Sequence, residues 1–119
     1  MKLVIVESPY AGNIVQRWFN RRYARKCVRH SLSMGEAPIA SHLLYTQPGI
    51  LRDGDPVERK WGIEAGLAWR RVAEASVVYT DRGISSGMSH GINAALDADI
   101  PVEFRSFNRA ASDTPHTKP

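Results

Sequence analysis

The chain alternates short apolar runs with longer amphipathic ones. Lys2–Glu7 is apolar and rich in β-branched residues, which predicts a buried strand. Ser8-Pro9-Tyr10-Ala11-Gly12 then carries turn residues. Helical periodicity runs from about Ile14 to Ser33 and stops near Gly35. Within it, Ala24, Cys27, Val28 and Ser31 share one face, with Arg22, Arg25, Lys26 and Arg29 opposite. Ile14, Val15, Trp18 and Phe19 fall off that inner face. Either a bend separates two helical pieces, or these side chains pack on something else, such as another subunit.

Ala37–Ser41 predicts a second strand, followed by a long connection from His42 to Asp55 with two glycines and a proline. Asp55-Pro56-x-Glu58 is a helix start: a capping Asp, Pro at the first helical position and Glu three after the cap. That helix is predicted to run to about Ala73, with Val57, Trp61, Ala65, Ala68 and Val72 along one side. Ser76–Thr80 predicts a third strand, Met88 to about Leu96 a third helix, and Pro101–Arg105 a fourth strand. Residues 1–107 thus read as one domain, and the polar, proline-containing stretch 108–119 as a disordered tail. The β-α-β-α-β-α-β order predicts an α/β fold: a small Rossmann-like three-layer sandwich, a parallel sheet of about four strands with helices on both faces.

Composition narrows the function. No apolar run approaches the roughly 18–20 residues that span a bilayer, and nothing resembles a signal peptide. A lone cysteine, Cys27, without metal-ligand spacing excludes an internal disulfide and a structural zinc site. A reducing cytoplasm is the expected location, with neither metal nor cofactor. The net charge is +4, but its placement matters more. The first 35 residues hold seven basic side chains against Glu7 alone, while the remainder carries nine basic and eleven acidic. Such asymmetry invites an anionic partner.

Candidate chemistry follows from the fold rule that ligands bind beyond the carboxyl ends of parallel strands. After strand one come Glu7, Ser8, Tyr10 and Gly12; after strand two, Ser41 and His42; after strand three, Asp81, Gly83, Ser85, Ser86 and Gly87. Gly83-x-Ser85-Ser86-Gly87 leads directly into a helix and can cradle a phosphate on backbone N–H groups. The same pattern also serves plain helix capping. His42 could orient a ligand or move a proton. Glu64 falls on the apolar side of the second long helix, where a carboxylate is costly unless paired or functional. No GxxxxGK[ST], GxGxxG or GxSxG is present, which argues against a P-loop NTPase, a dinucleotide fingerprint and a nucleophile elbow.

Four stretches carry a resemblance: Val4-Ile-Val-Glu-Ser-Pro-Tyr-Ala-Gly12, Tyr23-Ala-Arg25, Gly35-Glu-Ala-Pro-x-Ala-Ser-His-Leu-Leu-Tyr-Thr-Gln-Pro-Gly49 and Gly62-Ile-Glu-Ala-Gly-Leu-Ala-Trp69. They resemble a family of small uncharacterised bacterial and phage proteins, similar to the nucleoside 2-deoxyribosyltransferase-like superfamily. The resemblance implies that the strand-one loop grips sugar or base, and that the Ser/Gly loop before the last helix holds a 5′-phosphate. It also implies a nucleophilic Glu within Gly-x-Glu-x-Gly, but the matching stretch is Gly87-Met-Ser-His-Gly91, with Ser89 at that position. A further carboxylate is implied from the preceding helix. Glu64 could serve, although a gap-free count puts that position near Ala68.

The reading is therefore a nucleotide or nucleoside-phosphate binding protein. Its ligand groups would be Ser8, Tyr10, Gly12, His42, Asp81, Gly83, Ser85, Ser86, Gly87 and Ser89. Sequestering a nucleotide-derived signal, as a phage would use against host defence, is one use. The alternative is an N-glycosidase or deoxyribosyltransferase with Glu64 or Asp81 as its catalytic carboxylate. A third reading, an adaptor for nucleic acid or protein on the basic helix face, is less favoured. A homo-oligomer is expected from the unplaced apolar side chains.

Overall fold

A computed structural model describes residues 1–52 and 54–107. Four strands form one parallel sheet: β1 (Lys2–Glu7), β2 (Glu36–Ile39), β3 (Ala75–Tyr79) and β4 (Val102–Arg105). Their order is β2-β1-β3-β4. The chain therefore steps from β1 to one side and then returns across it to the other. This reversal over β1 and β3 is the point where parallel sheets open a crevice. The predicted fold class stands, with strand boundaries shifted by one or two residues.

Side-chain alternation assigns the two faces of the sheet. Val4 and Val6 of β1 and Val77 and Tyr79 of β3 are buried with Cys27 in one cluster, beneath α1 (Ile14–Ser33). Ile5 and Val78 point the other way, toward α4 (Ser86–Asp97), whose Met88 and Ala95 are buried. A 13-residue α3 (Pro56–Ala68) packs on α2 (Ser41–Leu44), and a single 3-10 turn, Trp69–Arg71, continues it. The Asp55 carboxylate caps α3 by accepting from the Val57 and Glu58 N–H groups at 2.9 and 3.4 Å. The long connection thus contains one helical turn, α2, that the sequence pattern does not announce.

α1 is a single helix, so no bend explains its off-face residues. Ile14, Val15, Trp18 and Phe19 are exposed. Trp18 packs edge-on to Phe19, with Arg22 over its ring. The apolar side predicted for α3 also needs correction: Val57, Trp61, Ala68 and Val72 are exposed. The stripe of α3 that lines a cavity is instead Gly62, Ile63, Gly66 and Leu67, continued by Arg70; of these Gly66 is buried, while Ile63 and Leu67 remain exposed.

Beneath α1 lies a polar knot. Arg105 of β4 holds Glu36 of β2 through two donors, at 2.9 and 2.6 Å, so the pair joins the two edge strands. Ser31 donates to the same carboxylate, and the Tyr79 hydroxyl bridges Arg105 to His30 Nδ1. Arg105 and Ser31 hold the Glu36 carboxyl below its ordinary range. Asp81 works nearby as a clamp. Its carboxylate accepts from the Tyr23 hydroxyl, the Ser106 hydroxyl and the Phe107 N–H. These bonds tie α1 to the segment after β4.

Among the described residues, no helix is long and apolar enough to cross a membrane.

Candidate functional site

A cavity of about 510 Å³ lies at the carboxyl end of β1. Its walls are the β1 exit, α2, the glycine-bearing stripe of α3 and the first turns of α4. Each wall follows from local sequence. Pro9 and Gly12 turn the chain away after β1, and glycine at 66 keeps α3 thin where it meets α2, while Gly62 leaves room for Leu51 of the long connection. A Cβ at Gly66 would lie 2.6 Å from Ser41 Oγ.

Of the residues the sequence singles out, Glu7, Ser8, Tyr10, Ser41, His42, Ser85, Ser86 and Gly87 line this cavity. Ser8 and His42 form one unit, with Ser8 Oγ 2.8 Å from His42 Nε2. Burial depresses the His42 pKa to about 4, so the ring is neutral at physiological pH. Tyr10 stands edge-on to that ring. Ser85 caps α4: its Oγ accepts from the Met88 N–H at 3.2 Å. Helix geometry leaves the Ser86 and Gly87 N–H groups without intrahelical acceptors. They sit at the positive end of the α4 dipole, in the cavity wall.

The other singled-out residues lie elsewhere. Gly12 stands beside Gln16, outside the cavity lining. Gly83, at φ +83°, closes the turn from Thr80. Ser89 is exposed on α4 away from the cavity. Asp81 is engaged in the clamp under α1, and Glu64 is exposed on α3, about 130° around the helix from the stripe that faces the cavity. Neither proposed catalytic carboxylate lines the cavity. The basic residues Arg22, Arg25, Lys26 and Arg29 of α1 lie on the far side of the sheet from α4 and outside the lining.

Among the cavity residues outside the proposed ligand set are Glu7, named only as a strand-exit residue, and Arg70. Glu7 ends β1 in the same parity as Ile5, so it points to the α4 side. There Arg70 Nη2 donates to Glu7 Oε2 at 2.7 Å and to the Gly91 carbonyl at 3.1 Å. Both side chains are about nine-tenths buried. Burial outweighs the attraction of Arg70 and raises the Glu7 pKa to about 7. The signal for Glu7 was its parity at a strand exit. Arg70 had no such signal, because the stripe assigned to α3 placed it outside.

Comparison with known proteins agrees with the architecture. Residues 2–105 match the family model DUF7768, described as a domain of unknown function, and the chain belongs to that family. No curated protein matches the sequence. A solved structure of a 2-deoxyribosyltransferase from the psychrotolerant bacterium Bacillus psychrosaccharolyticus shares the fold, with a TM-score of 0.63. The two are 14% identical, over 87% of this chain and 72% of that one.

Proposed function

We propose that the cavity binds a nucleotide or nucleoside phosphate. The observation that carries this reading is the juxtaposition, in one cavity at the sheet's switch point, of the open α4 N-terminus with the Ser8–His42 pair and the Tyr10 ring. A phosphate would rest on the Ser86 and Gly87 N–H groups, and the sugar and base would lie toward Ser8, Tyr10 and His42. The volume suits a ligand of this size, within the roughly 300–1,000 Å³ usual for small-molecule sites. The deoxyribosyltransferase likeness supports the same substrate class.

Calorimetry with a panel of mononucleotides, cyclic nucleotides and ADP-ribose derivatives tests the reading. At least one 5′-phosphorylated member should bind at micromolar or tighter Kd, and more tightly than its dephosphorylated form. Gly87→Asp places a negative charge in the first turn of α4, which suits the helix but repels a phosphate. It should cost at least tenfold in affinity with little change in Tm. Silence across the panel refutes the proposal.

A catalytic reading of the same cavity is favoured by one observation: Glu7 brings a carboxyl group with a pKa near neutrality into its wall. Base release from nucleoside phosphates is the activity to assay.

We also propose that the chain self-associates. Ile14 is 75% exposed, Trp61 56% and Val72 54%, on helices α1 and α3 and just beyond α3. Large apolar side chains left exposed on two helices offer a surface that a second copy could cover. Light scattering at micromolar concentration should give at least a dimer mass, reduced by Trp61→Glu. A monomer mass for the wild type contradicts it.

A further inference from the structure

Resting on the nucleoside-phosphate reading above, we propose that Glu7 is the catalytic acid of this cavity, that Arg70 is its positioning residue, and that the reaction is hydrolysis of the N-glycosidic bond.

The geometry carries the assignment. Among the described residues, Glu7 is the one carboxylate lining the cavity. Its two oxygens are used differently. Oε2 is held by Arg70, whereas Oε1 takes no hydrogen bond from the described residues and is not sealed from the cavity. A carboxyl group anchored through one oxygen and open at the other can exchange a proton with a bound molecule while its direction stays fixed.

α4 is shaped around the pair. A Cβ at Gly91 would collide with Glu7 Oε2 and stand 2.9 Å from Arg70 Nη2. Only a residue without a side chain lets the carboxylate–guanidinium pair press against the helix backbone. Gly91 is five residues beyond Ser86, about 7.5 Å along the helix axis. A phosphate at the α4 N-terminus is thereby separated from Glu7 by roughly the reach of a ribose with its 5′-methylene. That places the anomeric carbon and its bond to the base next to Oε1. The raised Glu7 pKa of about 7 keeps a protonated fraction available at neutral pH.

The step balances with water as co-reactant. Protonated Glu7 gives its proton to a ring nitrogen of the base while the C1′–N bond breaks and its electron pair leaves with the base. The Glu7 carboxylate then faces the oxocarbenium-like sugar. A water oxygen bonds to C1′, and the water's surplus proton returns to Glu7. The products are the free base and the sugar phosphate.

The charged and titratable groups around Glu7 are Arg70 and Arg59 on the α3 side, His42 and Tyr45 from α2 and the residue after it, Tyr10 beyond β1, and His90 of α4. Arg70 alone of these bonds to Glu7. His42 is held neutral and does not titrate near pH 7.

The experiment incubates the protein with 5′-mononucleotides, follows free base by chromatography across pH 5–9, and measures affinity for the same nucleotides by calorimetry. Wild type should release base, with a rate that falls above about pH 7 as Glu7 loses its proton. Glu7→Gln should lose at least 100-fold in rate while retaining affinity within about threefold. If Glu7→Gln fails to fold by circular dichroism, Glu7→Asp carries the comparison, with the same loss expected. Removing the Arg70 charge lifts the Glu7 pKa further, so Arg70→Met should retain a measurable rate with its alkaline limb moved to higher pH. An unmoved limb overturns the role of Arg70, and a limb abolished by His90→Gln overturns that of Glu7. A nucleotide that binds without releasing base refutes the catalytic inference and leaves the binding reading intact. Failure of every nucleotide to bind removes both.

Discussion

Arg105→Met should lower the melting temperature by roughly 12 °C or more, corresponding to a loss of about 3–5 kcal/mol in a domain of this size. The expectation comes from what the substitution leaves behind. Arg105 and Glu36 expose only 7% and 10% of their side chains. The pair itself is a weak argument for stability, because burying two charges costs nearly what their attraction returns. Removing one partner is different. Glu36 would remain under α1 with Ser31 as its remaining donor, and the Tyr79 hydroxyl would lose its guanidinium partner.

The pH dependence gives the mechanism its own signature. Arg105 lowers the folded-state pKa of Glu36, so the pair's contribution is present above the ordinary carboxylate value of about 4.5 and fades as pH falls through and below it. In the variant the unpaired carboxyl is buried and its pKa moves up instead. Acidification from pH 7 toward 4 should therefore narrow the gap between wild type and variant. Adding Glu36→Gln to the variant should recover part of the lost stability. A drop below about 1 kcal/mol at pH 7, or a gap that widens in acid, would show that the knot does not clamp the edge strands.

The knot also shows which parts of the molecule can be read from sequence. The four strands were legible because each is a short apolar run bounded by turn residues, and parallel pairing followed from the intervening helices. Glu36 and Arg105 were illegible as partners. They are 69 residues apart in the chain and meet only because β2 and β4 form the two edges of one sheet. Asp81 was misleading for a related reason. A carboxylate at a strand exit invites a catalytic reading, but its direction depends on Tyr23 and Phe107, from elements far along the chain.

α3 is the instructive failure. Periodicity picks out the apolar side through Val57, Trp61 and Val72, and that side is exposed. The face that lines the cavity is the one with Gly62 and Gly66, and at Gly66 close approach to Ser41 of α2 requires a residue without a side chain. Periodicity finds a helix but does not say which apolar stripe meets its own chain. Glu64 belongs to the first of these sides, and Arg70 to the one that lines the cavity. The cavity-facing hydroxyls were more accessible to reasoning. Ser8, Ser85 and Ser86 follow from the strand-exit rule once the strand order is known, and no long-range packing is needed to place them.

Gly91→Ala should abolish base release while leaving nucleotide binding in place. In an exposed helix interior, alanine would be favoured over glycine by about 1 kcal/mol. Here the added methyl meets Glu7 Oε2 and Arg70 Nη2, the far ends of two flexible side chains. They can swing aside without displacing the backbone. The loss of their 2.7 Å contact is then set against the gain in helix propensity. Breaking a buried carboxylate–guanidinium contact outweighs that gain, so stability should fall by about 1–3 kcal/mol, a drop of roughly 4 °C or more. The direction of the carboxyl group cannot survive that movement, and a displacement of about 1 Å from a productive geometry costs on the order of a hundredfold in rate. Base release should therefore fall at least 100-fold, while nucleotide affinity, carried by the α4 N-terminus five residues earlier, changes little. The Glu7 carboxyl resonance, followed by carbon-13 NMR, should titrate away from its wild-type midpoint of about 7. A Gly91→Ala protein with an unchanged Glu7 midpoint and unchanged turnover would mean that the glycine serves helix packing alone.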